Sequence, residues 1–161
     1  MKTTAVLPAK RGEHTPRFVL RRAQYGAPGL VDQLEELYQN ARPNNPPSRE
    51  FLQSWLDAGG ALYITGATDR PLAALLWREA AGGWRVDPIA TLQDQRGNGF
   101  GRWLMTQLEA FAIRENIPFL ETRITREELL PYYRRLGYRV VDGLTLRKAV
   151  GGQWQHQEVA Q

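Results

Sequence analysis

Five residues, Gly97 to Gly101, hold three glycines, with arginines on either side at Arg96 and Arg102. Glycine lets the main chain take turns closed to other residues and lets a ligand come close to the backbone. A helical pattern follows at once. Such a turn points unpaired N–H groups and the positive end of the helix dipole into one space. Arg96 and Arg102 add full positive charge. The chemistry on offer is anion binding, and the arrangement suits a diphosphate. A plainer reading stays open, in which the glycines only turn the chain from strand to helix. A Rossmann fingerprint would need glycine at position 102, where Arg102 stands, and a P-loop would need a following Gly-Lys-Ser/Thr.

Other chemistries lack parts. The chain has no cysteine, its only histidines are His14 and His156 in polar tails, and its only serines are Ser48 and Ser54. That removes disulfides, thiolate metal sites, a cysteine nucleophile and a Ser-His-Asp triad, and it leaves no His/Cys set for zinc. Any catalysis must come from carboxylates, tyrosine, arginine, lysine or the backbone. No metal is expected. The net charge of +4 and pI near 9.7 favour anionic partners. The basic residues are dispersed rather than gathered in a block, which argues against nucleic acid. No apolar run nears the roughly 20 residues of a membrane span, and the N-terminus has no signal-peptide core, so a cytoplasmic location is expected.

The elements that must position these residues follow from periodicity. Residues 1–16 read as a flexible tail, 17–150 as one domain and 151–161 as a C-terminal tail. Arg17–Ala23 alternates like a strand. Leu30, Leu34, Leu37 and Tyr38 fall at helical spacing, with Pro28 in the first turn. Ser48 is placed to cap a second helix that stops at Gly59-Gly60. "ALYIT", "PLAALLWREA" and "WRVDPIATL" form an antiparallel meander, turned at "GATDR" and at Gly82-Gly83. Pro88 sits inside the third strand, where a residue without an N–H needs an edge, a bulge or a parted neighbour. After the glycine turn, Phe100, Leu104, Leu108 and Phe111 form one apolar stripe. A strand "IPFLETRI", a short helix with Pro131 early in it, and a hairpin closed at Asp142-Gly143 complete the chain. The order is β-α-α-β-β-β-α-β-α-β-β, a mixed α/β (α+β) domain with a mostly antiparallel central sheet flanked by helices.

Arg96-Gly97-Asn98-Gly99-Phe100-Gly101 resembles the R/Q-x-x-G-x-G/A motif of the GNAT N-acetyltransferase superfamily. About thirty residues on, "LLPYYRRLGYRV" resembles that family's second hallmark, a tyrosine followed four residues later by Gly and an aromatic: Tyr133, Gly137 and Tyr138. The resemblance covers residues 61–149 closely and 17–60 in outline. It implies a GNAT-like fold and acetyl-CoA as acyl donor, laid between the third meander strand and "IPFLETRI", which splay apart in the family. It also gives Pro88 a reason, since pairing is lost there. Backbone groups near Ile89, Ala90 and Thr91 would hold the acyl and pantetheine arms. Arg96, Gly97, Asn98, Gly99, Phe100, Gly101 and Arg102 would hold the pyrophosphate. Many members carry an Asn touching CoA where Arg126 stands here; Arg126 could reach a phosphate instead.

The implied reaction is acetyl transfer to a primary amine of a small molecule, a protein N-terminus or a lysine, by direct attack in a ternary complex. The amine must first lose a proton, and the departing thiolate must gain one. Tyr133 matches the family's proton donor, against a plain role as a core aromatic. Glu121 resembles the base in the "L-E-V-R" segment of ribosomal-protein N-terminal acetyltransferases, against a plain ion pair with Arg123 on the same sheet face. Asp87 on the facing strand is the second candidate, and a water relay the third. A non-catalytic acyl-CoA-binding sensor or partner domain is the alternative, and a homodimer is a further expectation from the family.

Overall fold

A computed structural model describes residues 3–7, 17–24 and 28–151. The strands are β1 (Thr3–Leu7), β2 (Phe18–Gln24), β3 (Gly59–Thr65), β4 (Pro71–Ala80), β5 (Gly83–Thr91), β6 (Phe119–Arg123), β7 (Arg139–Asp142) and β8 (Thr145–Ala149). The helices are α1 (Leu30–Ala41), α2 (Arg49–Ala58), α3 (Phe100–Arg114) and α4 (Leu130–Arg135). One eight-stranded sheet runs in the order β1-β2-β3-β4-β5-β6-β8-β7. The fold is the mixed α/β class read from the sequence, with a mostly antiparallel sheet flanked by helices.

The chain divides into two compact units: residues 1–78 with 88–106, and residues 79–87 with 107–161. Strands β4 and β5 and helix α3 each contribute to both.

In the first unit, α1 buries Leu30, Leu34, Leu37 and Tyr38, the stripe its periodicity requires. Helix α2 adds Leu52, Trp55 and Leu56. These side chains share one core with Ala61 and Tyr63 of β3 and Ala74 and Leu76 of β4. Ser48 caps α2 as its sequence demands, its Oγ accepting from Phe51 N at 3.1 Å. The two glycines that end α2 also begin β3. A Cβ at Gly60 would lie 2.5 Å from the Ala23 carbonyl oxygen and 2.7 Å from the Trp77 ring, so only glycine lets β3 run under Trp77.

Four local expectations need correcting. The tail expected over residues 1–16 contains β1, whose Thr3–Leu7 pair antiparallel with Phe18–Arg22; the β-branched run "TTAVL" suits a strand, but a single short apolar run carries no periodicity of its own. Pro28 lies before α1, which starts at Leu30 after Gly29 at φ 76°. The β4–β5 turn is Ala81-Gly82, at φ 54° and 89°, not Gly82-Gly83. The last hairpin turns at Gly143-Leu144, because Asp142 still pairs with Thr145. His14, His156 and the C-terminal tail beyond residue 151 lie outside the described residues.

In the second unit, β6 pairs antiparallel with β8, and β8 with β7. Strands β5 and β6 are parallel, in register at Trp84–Leu120 and Arg85–Glu121. Just past this pair the Thr122 hydroxyl donates to the Val86 carbonyl at 3.1 Å. Pro88 is buried three residues beyond the last paired residue.

Candidate active site

The glycine turn lies in the first unit. A 3-10 turn at Gln93–Gln95 leads to Arg96 in extended backbone, then to Gly97 at φ 88° and Gly99 at φ 75°. Both angles fall in the left-handed region that favours glycine. The Asn98 Nδ2 donates to the Gln95 carbonyl at 3.0 Å and braces the bend. Trp103 N donates to the Gly99 carbonyl at 3.0 Å, which closes the first turn of α3. The N–H groups of Phe100, Gly101 and Arg102 precede that bond and have no acceptor within the helix. Apart from adjacent residues and the helix's own backbone, no atom of the described residues lies within 4 Å of a Cβ built at Gly97, Gly99 or Gly101. The bend therefore offers backbone donors beside open space.

The end of α1 is tied to the same region. Asn40 accepts from Gln93 N at 3.0 Å through its side chain and from Gln93 Nε2 at 2.8 Å through its carbonyl. Arg96 Nη2 donates to the Ala41 carbonyl at 3.1 Å, so this arginine is in part a strut. Farther back, Tyr38 Oη donates to the Pro88 carbonyl at 2.8 Å, and Arg42 Nη2 donates to the Ile89 carbonyl at 2.7 Å. The carbonyls at the start of the Ile89–Thr91 segment thus already have partners. Sequence reading treated Tyr38 as core alone and missed Arg42, because neither periodicity nor motif shows where a helix end meets a strand.

The second unit carries Asp87, Glu121, Arg126 and Tyr133. Glu121 is buried, at 5% exposure. Its Oε2 accepts from Arg85 Nε at 2.9 Å and Nη2 at 2.8 Å, and its Oε1 from Arg147 Nε at 2.9 Å. The ion-pair partner expected from the sequence was Arg123. That residue is exposed, and the partners come instead from β5 and β8, which the sheet register sets opposite Glu121. Both carboxylate oxygens are thus engaged by guanidiniums, which weighs against Glu121 as a base. Asp87 is half-buried on β5, and Arg126 is exposed just before the 3-10 turn Glu127–Leu129.

Tyr133 is half-buried on α4, with its ring edge-on to Tyr132 at 5.2 Å and to Tyr138 at 5.5 Å. The short helix closes on it: its carbonyl accepts from Leu136 N and Tyr138 N, both at 3.0 Å. Tyr138 is the buried member, and burial followed by the nearby Glu109 carboxylate pushes its phenol well above the usual range. Tyr138 is therefore fixed as a neutral core aromatic, while Tyr133 keeps partial access to solvent. Among the described residues no group of three His, Asp or Glu is placed to hold a metal ion, and no helix is long and apolar enough to cross a membrane.

The mixed sheet and the glycine bend that opens its long helix place the chain in the mixed α/β class. The chain belongs to the acetyltransferase (GNAT) family, whose model matches residues 29–138. Among solved structures it is similar to a GNAT family N-acetyltransferase of Escherichia coli in complex with CoA, with a TM-score of 0.70 at 12% identity over 87% of this chain and 85% of that one. It is similar also to the ribosomal-protein-S18-alanine N-acetyltransferase of Escherichia coli (0.66, 15% identity, 94% and 95% covered). A third is a GNAT family acetyltransferase of Elizabethkingia anophelis with acetyl-CoA bound (0.63, 14% identity, 83% and 98% covered). At these identities the likeness establishes the fold. No curated protein matches this chain.

Proposed function

We propose that this protein moves an acetyl group from acetyl-CoA to a primary amine by direct attack in a ternary complex. The acceptor is a small molecule, a protein N-terminus or a lysine. The observation that carries the reading is the bend at Gly97–Gly101 within the family match, with its left-handed glycines and first N–H groups that have no acceptor within the helix. Structural neighbours with CoA and acetyl-CoA bound support the choice of donor.

In this reading the amides of Gly97–Arg102, with Arg96 and Arg102, hold the diphosphate. Backbone groups of Ile89, Ala90 and Thr91 hold the pantetheine and acyl arms, with Arg126 reaching a phosphate. The amine nitrogen forms its bond to the acetyl carbonyl carbon as the carbon–sulfur bond breaks. Tyr133 gives its phenolic proton to the departing sulfur. The amine's own proton leaves through water or to Asp87, because both oxygens of Glu121 are taken up by arginines.

That engagement of Glu121 also keeps a second reading in play, an acyl-CoA-binding domain without turnover. Calorimetric titration with CoA, together with thiol release from acetyl-CoA across a panel of amines, separates the two. Binding with thiol release supports the transferase, and binding with no release from any amine supports the sensor. No binding refutes both.

A further inference from the structure

We propose that Arg85 and Arg147, held in place by Glu121, form a docking site for an anionic group, carboxylate or phosphate, on the amine acceptor. This rests on the acetyl-transfer reading above and names its substrate class.

The three residues come from three strands. The register sets Arg85 of β5 opposite Glu121 of β6, and Glu121 opposite Arg147 of β8, so all three share one face of the sheet. Two guanidiniums on one carboxylate leave a net positive charge. Each guanidinium ties β6 to one of its neighbours, and the two ties together exceed the charge of the single carboxylate. The surplus is only partly cancelled nearby. Arg139 of β7 pairs with Arg147 in register, and Arg123 lies on the same face two residues beyond Glu121. Asp87 is the one further carboxylate at the matching positions of β5. Asp142 of β7, opposite Thr145, adds a third on the same face. Among the described residues of these four strands the face carries four arginines and three carboxylates.

The donors are also unspent. A guanidinium has five N–H groups in a fixed fork. Arg147 gives only Nε to Glu121 and has no other polar partner among the described residues. Its plane is set by stacking over the Phe119 ring, 4.3 Å from the centroid. Arg85 gives Nε and Nη2 and keeps the rest. The Arg147 side chain is 38% exposed and that of Arg85 23%, while Glu121 beneath them is 6% exposed. A buried anion thus orients two half-open forks, which is the geometry that takes a carboxylate or phosphate bidentately. Glu121 is then a positioning residue. In the reading above the glycine bend takes the donor's diphosphate, and this face is assigned to an anion on the acceptor; saturation with CoA in the test below decides against the donor's remaining phosphate.

The test is a titration of the full chain, saturated with CoA, with succinate and separately with inorganic phosphate at constant ionic strength, read on the arginine Nε–H resonances. Saturable shifts of Arg85 and Arg147 are expected with CoA present. Arg147→Gln should weaken the response about tenfold or more, and Arg85→Gln serves if that variant does not fold. No saturable shift, or one that vanishes when CoA is added, overturns the inference; the second result would give the arginines to a phosphate of the donor. Thiol release with each α-amino acid against its own carboxamide is the second arm. A lower KM for the carboxylate member, lost in Arg147→Gln, supports the site, and equal use of both members overturns it. The CoA affinity of the same samples tests the donor reading separately, since it does not depend on these arginines.

Discussion

The glycine bend and the Arg85–Glu121–Arg147 cluster are both polar sites, but they are built in opposite ways. The bend uses neighbours in the chain, and the groups it presents are backbone amides. The cluster joins side chains 36 and 26 residues apart, and it exists only while three strands keep register. One site is written in local conformation and the other in topology. The bend is therefore sensitive to any side chain added to it. The cluster is sensitive to the loss of one charge and to a slip of one residue, which would turn its side chains to the other face.

The sharpest break of this contrast is Gly99→Val. A β-branched residue at φ 75° costs on the order of 1–3 kcal/mol locally, and its methyl groups enter space the diphosphate would need. Loss of measurable CoA binding is expected, by calorimetry, in a protein whose circular dichroism shows it folded. Gly101→Ala separates the two causes. Gly101 is helical with nothing within 4 Å of its added Cβ, so weakened CoA binding there reports crowding of the ligand alone. Normal CoA affinity in folded Gly99→Val would remove the bend from the site.

Next in size is Tyr133→Phe, which deletes one hydroxyl and leaves the ring packed against Tyr132 and Tyr138. A fall in kcat of about 10- to 1000-fold is expected, with CoA affinity little changed. Unchanged kcat would make Tyr133 a packing residue like Tyr138.

These two predictions concern the parts that the sequence made legible. The bend could be read because glycine spacing, the flanking arginines and the helix pattern are contiguous. Tyr133 could be read because its motif lies within one short segment. The element order was legible for the same reason, since each helix and strand announces its own periodicity, as Leu30, Leu34 and Leu37 do for α1. Strand β1 was not, because five residues of "TTAVL" gain their meaning only from pairing with β2. Glu121 was visible as a residue but not as a carboxylate under two guanidiniums. Nothing in the spacing of 85, 121 and 147 shows that β5 and β8 flank β6. The ties from Tyr38 and Arg42 to β5 were hidden in the same way.

Glu121→Ala tests the register-dependent site. It leaves Arg85 and Arg147 half-buried without their anion, and a loss of about 1–3 kcal/mol is expected, read by urea unfolding. Its kinetic signature decides between positioning and base. A positioning role raises the acceptor KM and leaves the acid limb of the kcat pH profile in place. Loss of that limb, with KM unchanged, would restore Glu121 as the base.

The smallest effect asked for is Tyr38→Phe. The phenol is fully buried, and its hydroxyl donates to the Pro88 carbonyl. Removing the hydroxyl leaves that carbonyl buried and short of a donor, which costs about 1–2 kcal/mol. The ring itself keeps its place in the α1 core, so the cost is local to β5. Pro88 is where that local cost matters, because proline has no N–H and its carbonyl is the only main-chain hydrogen-bonding group it has. If this tie sets the backbone that follows, acetyl-CoA KM should rise about two- to fivefold while kcat stays near its original value. A stability loss with unchanged KM would show that α1 only packs on β5. A KM change without stability loss would show that the hydroxyl acts through the donor site alone.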